Sequence, residues 1–427
     1  MPLSRREFLL GGLGAGAAGA AGLLVSRHDF GTRALAKTGA SSAPGTGTGT
    51  GAVAGTPGKD GILVLLTLYG GNDGLNTLIP YQDGNYLGGR RTLGYQPQEV
   101  LPLTDGLALH PNLKEIKALW DAKRVAIVRG VGYPNPNRSH FRSMDIWQSA
   151  VPDSSVPTGW IGRWLDTSGS DPMRALSVGG SLPRIFGGET AAGAAVPVGP
   201  LTLPGGAAVQ SGFTALSAAS PGASPLAARV SQSGADLLTV GHSIADLLAH
   251  QSTSDEASGS TSTLEGTPAA NSLAQQLDLV ARLVKGGSPT KVYGVNLGGF
   301  DTHANEKDTH ARLMGYLDSA VSGFFKNLAG SPQEGRVVLA AYSEFGRRVA
   351  ANGSDGTDHG TAAPMFVVGP KVKGGFYGDE PSLTDLDQGD LKFTTDFRSV
   401  YATLLQDVIG IDAKASLGKS FTPVPFL

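Results

Sequence analysis

Uninterrupted apolar runs alternate with runs of helical spacing along most of this chain. Gly61–Tyr69 is nearly continuous in Val, Leu and Ile and is bounded by glycines, which predicts a strand buried on both faces. Arg124–Val131 predicts a second. Between them, Asn112–Ala122 spaces Leu113, Ile116 and Trp120 on one helical face. Past 270 the alternation is regular. Leu273, Leu277, Val280, Leu283 and Val284 predict a helix capped by Asn271 or Ser272. A strand over 291–298 follows, then a helix carrying Leu313, Leu317, Val321 and Phe324. Strands over 336–342 and 365–368 come next, and a helix starting near Thr395 carries Phe397, Val400, Tyr401 and Leu404. Strand–helix alternation with buried strands predicts an α/β fold, a three-layer sandwich with a mostly parallel central sheet.

The stretch 150–270 is a less regular insertion. Gly159–Asp166 predicts a short amphipathic helix. Ala175–Val178 and Arg184–Phe186 predict strands, and 224–250 helices, with Ser224 before Pro225 as a cap. Ser252–Ala270 is of low complexity and is expected to be a surface loop.

The first residues read as an address. Ser4-Arg5-Arg6-Glu7-Phe8-Leu9 is a twin-arginine signature before a Gly/Ala/Leu run, and Ala34-Leu35-Ala36 suits cleavage. Residues 1–36 are therefore expected to be a signal peptide, 37–59 a Gly/Thr/Ser linker, and 60–427 the folded domain. Export by the twin-arginine machinery to the periplasm, envelope or exterior is expected, with no stable membrane span after processing. Net charge is −2, which gives no electrostatic footprint for nucleic acid. The chain has no cysteine, so disulfides and thiolate chemistry are excluded, and any metal would sit among O and N donors.

Candidate chemistry sits at strand ends. Asp73 follows the first strand, Asp301 and His303 follow 292–298, and Glu344 follows 336–342. Asp358 and His359 stand in a glycine-flanked loop ahead of the last strand. Carboxylates and imidazoles gathered at the C-terminal ends of parallel strands suit a divalent cation. Of 8 histidines, His140, His303 and His359 lie in such loops. Each residue also has a plainer reading: Asp73 as a turn former, Glu344 as a partner of Arg347 or Arg348 on a following helical turn, His303 as a buried histidine.

The motifs Leu68-Tyr-Gly-Gly-Asn-Asp-Gly-Leu-Asn-Thr-Leu-Ile-Pro-Tyr81, Asn137-Arg-Ser-His-Phe141, Phe300-Asp-Thr-His303, Ser343-Glu-Phe-Gly-Arg347 and Thr357-Asp-His-Gly360 resemble those of the DUF1501 proteins. That family is similar in turn to the alkaline phosphatase and sulfatase superfamily. The resemblance implies an alkaline-phosphatase-like fold and one or two divalent ions (Zn, Mn, Mg or Ca) at the sheet edge. It implies hydrolysis of phosphate or sulfate esters, of small molecules or polymers. Asp73, Asp301, His303, Glu344 and His359 fall at ligand positions, with Asp358 beside them. Glu344-Phe345 stands where an Asp-His pair is usual, so Asp358 or His140 would fill the gap. Ser139 holds the nucleophile's place, with Arg138 or Arg142 to bind the anion and His140 alongside. An alignment on a Thr before Pro-x-His puts Pro136 or Asn137 there instead, and Ser139 is then a helix cap. A formylglycine made from cysteine is excluded. The rival expectation is a non-catalytic exported envelope or polymer-binding protein that keeps the fold and a structural cation.

Overall fold

The computed structural model describes residues 60–199, 206–218, 220–252 and 268–427. The expected signal, the linker and most of the low-complexity stretch lie outside the described residues. The strands that matter are β1 (Ile62–Leu68), β2 (Val125–Gly132), β3 (Ala175–Val178), β4 (Ala194–Val196), β5 (Val292–Leu297), β6 (Val337–Tyr342), β7 (Arg347–Ala351), β8 (Thr357–His359), β9 (Ala363–Val368), β10 (Gly375–Tyr377) and β11 (Thr395–Asp396). The helices used below are α1 (Gly84–Arg90), α2 (Lys114–Asp121), α3 (His140–Ser149), α4 (Trp160–Ser168), α5 (Ala207–Leu216), α6 (Pro225–Ser252), α7 (Pro268–Lys285), α8 (Glu306–Leu328) and α9 (Phe397–Thr403).

The central sheet runs β10-β2-β9-β6-β1-β5-β3-β4, with β11 also on β2. β1 pairs in parallel with β5 and β6, β3 with β4 and β5, and β2 with β10 and β11. β9 alone on this path runs antiparallel, against both β2 and β6. All of β1 is buried, and its alternation splits the two cores. Val64, Leu66 and Leu68 pack with Ile116 and Trp120 of α2, Leu277 of α7 and Leu317 of α8. Leu63 and Leu65 face Trp147 of α3, Trp160 of α4 and Tyr401 of α9. Each such apolar side chain removed from water contributes about 1.5–3 kcal/mol. The result is the three-layer sandwich that the pattern of buried strands predicts.

Several local expectations are corrected. Arg184–Phe186 is a 3-10 turn, because Gly187 N–H bonds back to Arg184 and the segment has no ladder partner. α7 starts at Pro268, ahead of Asn271 and Ser272, with proline in the first turn where no N–H is needed. The segment after Glu344 is not a helical turn. It is β7, which pairs with β8 into a two-stranded ribbon, so Asp358 and His359 sit on a strand, not in a loop. Within 150–270, β3 and β4 extend the central sheet. Farther along, α5 and the start of α6 expose Val209, Leu216, Leu226 and Val230. Among the described residues no helix is long and apolar enough to cross a membrane.

Candidate metal centre

Parallel strands β1, β5 and β6 end at one edge of the sheet, and β9 enters there. The turns after β5 and β6, the start of α3 and the ribbon strand β8 therefore meet. Two glycines fix the ribbon against its neighbours. A Cβ on Gly356 would lie 2.3 Å from the His303 carbonyl carbon, and one on Gly360 would lie 2.5 Å from that of Arg347. Only glycine permits those approaches.

Asp301 is the centre of the group. Its Oδ1 is 3.0 Å from His303 Nε2 and 3.1 Å from His359 Nε2, and its Oδ2 is 3.4 Å from His140 Nε2. The two Nε2 atoms of His303 and His359 are only 2.9 Å apart. One ligand atom from each of His140, Asp301 and His359 falls within 4.8 Å of the others.

The far side of each ring explains its orientation. His140 Nδ1 is 2.8 Å from Glu344 Oε1, which also accepts the Gly70 N–H. His359 Nδ1 is 2.8 Å from the Arg138 carbonyl. His303 Nδ1 lies 3.6 Å from Asp358 Oδ1. Oxygen acceptors 2.8 Å from Nδ1 of His140 and of His359 suit a ring proton there, which turns the Nε2 lone pairs of both rings toward the Asp301 carboxylate. His140 Nε2 is buried with no hydrogen-bond partner. That arrangement is repulsive unless a cation lies among these atoms, so the donors fit a divalent ion, with carboxylate and carbonyl behind each imidazole.

Arg347 holds Asp301 from behind. Its buried guanidinium donates to Asp301 Oδ1 at 2.9 Å, Thr357 O at 2.9 Å, Phe300 O at 2.9 Å and Gly71 O at 2.6 Å. Burial acts to raise the Asp301 carboxyl, but the hydrogen bond and charge of Arg347, with the neighbouring imidazoles adding, outweigh it and bring it to about 2. Sequence reasoning had Arg347 only as a partner for Glu344. Its spacing to Asp301 across 46 residues left no local signal.

The remaining expectations divide. Glu344 is nearly fully buried and takes Ser343 Oγ at 3.0 Å and His140, not Arg347 or Arg348. His140, expected alongside the nucleophile, lies in the cluster with Asp301 and His359. Asp73 is not in the cluster. It is closed off by Arg90, whose guanidinium donates to both carboxylate oxygens at 2.9 and 2.7 Å. Arg138 is held on buried Asp390, and one nitrogen of Arg142, Nη2, donates to the carbonyls of Pro152 and Ser154. Ser139 is exposed and stands at the N-cap of α3 without a side-chain cap hydrogen bond; its N–H donates to Asn137 Oδ1 at 2.9 Å.

Behind Asp73 lies a buried network that the sequence did not reveal. Glu306 accepts from Thr357 Oγ1 at 2.6 Å, and His310 Nε2 is 3.0 Å from Asn72 Oδ1. Burial, with the neighbouring Asp73 charge adding, pushes the Glu306 carboxyl well above its usual range. Burial opposes ionisation of Asp73 too, but Arg90 and then His310 hold it below the ordinary value.

Among solved structures the chain is similar to an alkaline phosphatase superfamily protein from Vibrio parahaemolyticus, at 14% identity and TM-score 0.40, covering 85% of this chain and 69% of that one. It is also similar to the lipoteichoic acid synthase LtaP from Listeria monocytogenes, at 10% identity and TM-score 0.34, covering 74% and 68%. No curated protein matches it. The sequence profile described as "Protein of unknown function (DUF1501)" matches residues 61–419, and the chain belongs to that family.

Proposed function

We propose that the protein is a metal-dependent hydrolase of phosphate or sulfate esters, exported by the twin-arginine route. The observation that carries this reading is the facing of three imidazole Nε2 atoms onto Asp301, two of them set by a hydrogen bond on the far nitrogen. His140, Asp301 and His359 would hold the ion, with His303 beside them. Glu344 and Asp358 orient rings. Imidazoles with one carboxylate favour zinc over manganese, magnesium or calcium. Such a cation polarises an ester oxygen and neutralises charge that builds on it.

Ser139 is the nucleophile in this reading. Its hydroxyl does not cap α3, and the ten-residue helix places its positive end at that position. Arg347 keeps Asp301 ionised, and Phe345, against the His140 and His359 rings at 4.8 and 4.7 Å, keeps water from their faces.

The test is elemental mass spectrometry on protein exported and purified without chelator, alongside turnover of phenyl phosphate and phenyl sulfate. Near-stoichiometric metal, lost in the Asp301→Ala/His359→Ala double variant, is expected. Ser139→Ala should keep the metal and lose turnover. A wild type free of metal would overturn the site. The rival reading is an exported envelope protein with a structural cation. The pairing of Arg138 with buried Asp390 favours it, since that guanidinium already has a carboxylate. Metal without turnover of any phosphate or sulfate ester would decide for it.

A further inference from the structure

Beside the metal centre lies a cavity of about 330 Å³ that the mechanism above does not use. Tyr133, Trp147, Phe345, Ala362 and Phe393 form its apolar walls. We infer that this cavity takes the aromatic, uncharged leaving group of the ester, so that the substrate is an aryl phosphate or aryl sulfate. The inference rests on the hydrolase reading for the reaction, and on the cavity alone for the ligand.

Position comes first. Phe345 is shared: it walls the cavity and its ring contacts those of His140 and His359. Asn137 also lines the cavity, and its Oδ1 holds the N–H of Ser139. A group seated there is therefore next to both the candidate nucleophile and the imidazoles. The size lies at the lower end of the range for small-ligand sites, which suits one ring system and not an oligosaccharide.

Chemistry decides the class. The lining hydroxyls and the lysine are already paired, while the Trp147 Nε1 donor is buried without a partner. Tyr133 Oη is 2.8 Å from Ser143 Oγ and accepts the Asn137 N–H at 3.1 Å. Lys392 pairs with Asp385, and Thr361 donates to the Leu391 carbonyl. A charged leaving group would find no unpaired cation there. An aromatic ring would find the rings of Phe345 and Phe393, the latter 37% exposed at the rim. Ring–ring contacts of this kind contribute about 0.5–1.5 kcal/mol beyond area burial. In the reaction the bond from the aryl oxygen to phosphorus or sulfur breaks. Water supplies the oxygen that replaces it and the proton that leaves with the aryl alcohol, directly or after transfer through Ser139.

The experiment separates ligand from reaction. Binding of 4-nitrophenol is measured by calorimetry on wild-type protein, on Phe393→Ala, which removes a rim wall, and on Ala362→Leu, which fills the cavity. Thermal melting checks that each folds. The phenol is expected to bind the wild type and to bind at least fivefold more weakly to both variants. The preference of kcat/KM for phenyl over methyl phosphate should fall about tenfold in Phe393→Ala. Should Ala362→Leu fail to fold, Phe393→Ala alone decides. Phenol binding that is absent, or equal in wild type and Phe393→Ala, overturns the cavity assignment, even where esters turn over. Phenol binding lost in the variants, with no ester hydrolysed by the wild type, upholds the aromatic site and overturns the hydrolase reading on which the leaving-group role rests.

Discussion

Two neighbouring strands of this sheet end in the same way and lead to opposite outcomes. β1 runs into Gly70-Gly71-Asn72-Asp73, and β5, its parallel neighbour, runs into Gly298-Gly299-Phe300-Asp301. Asp73 has no exposed side-chain surface and both its oxygens are held by Arg90. Asp301 keeps 49% of its side chain exposed and is ringed by imidazoles. The first carboxylate is structural because a buried guanidinium holds both its oxygens. The second has Arg347 on one oxygen only, which leaves its remaining lone pairs for a cation. Function at a strand end is decided by which partner arrives from elsewhere, not by the turn.

The largest effect should come from breaking the satisfied side. Arg90→Met leaves Asp73 buried and unpaired, and loss of one partner of a buried pair costs about 3–5 kcal/mol. Denaturant titration at neutral pH should show that loss, with metal content retained in the folded fraction. The double variant Arg90→Met/Asp73→Leu should recover much of it, because no charge is then stranded. A small effect of Arg90→Met would mean that Asp73 reaches solvent or an ion and that the contrast is false.

Next is Glu306→Gln. The Glu306 carboxyl is raised in the folded protein by burial, with Asp73 adding. The stability tied to its proton is fully present below the ordinary carboxylate pKa. It is lost as pH rises toward and through the raised value, because the unfolded chain has already released that proton. Gln keeps an acceptor for Thr357 and a donor toward Asp73 at every pH. The variant should therefore gain on the wild type between about pH 5 and mildly alkaline pH, on the order of 1–2 kcal/mol, since a tenfold difference in proton affinity corresponds to about 1.4 kcal/mol. Melting curves across that range check it. Parallel wild-type and variant curves would place the proton elsewhere.

Asp301→Asn works on the exposed side and should separate the two regions. Its effect on melting in metal-free buffer should be about 1 kcal/mol, well below that of Arg90→Met, because Asp301 is half exposed yet is the carboxylate partner of buried Arg347. Metal affinity should fall by two orders of magnitude or more, since a charged ligand and its hold on the Nε2 atoms are lost together. A variant that loses stability but retains metal would reverse the roles assigned here to Asp73 and Asp301.

How much of this was legible in the sequence follows from the range of the interactions. Buried strands and amphipathic helices are local patterns, and β1, β2, β5, β6, α7 and α8 fall close to where periodicity puts them. Glycine-flanked Asp358-His359 and the Asp301/His303 turn were also visible, because the ligand types lie within a few residues of one another. What was not visible depends on distant partners. Arg90 reaches Asp73 from 17 residues on, and Glu344 finds His140 across 204. Short segments failed for a related reason. Arg184–Phe186 has the composition of a strand but no neighbour to pair with, and β7 pairs with β8 although Glu344 before it resembled the start of a helix.

Ser139→Ala makes the finest distinction. A serine at an N-cap position ordinarily stabilises its helix through the side-chain oxygen, and removal costs about 1 kcal/mol. Ser139 occupies that position on α3, yet its side chain makes no cap hydrogen bond, and the Ser139 N–H is taken by Asn137 instead. The substitution should then change stability by no more than a few tenths of a kcal/mol, near the resolution of careful chemical denaturation, while the hydroxyl itself is gone. A loss close to 1 kcal/mol would mean that the oxygen caps the helix in solution, and the case for holding it free as a nucleophile would fail. Near-zero change in stability together with lost ester turnover would put Ser139 on the same side of the comparison as Asp301. It would then be a residue at the sheet edge whose chemistry persists because nothing in the fold consumes it.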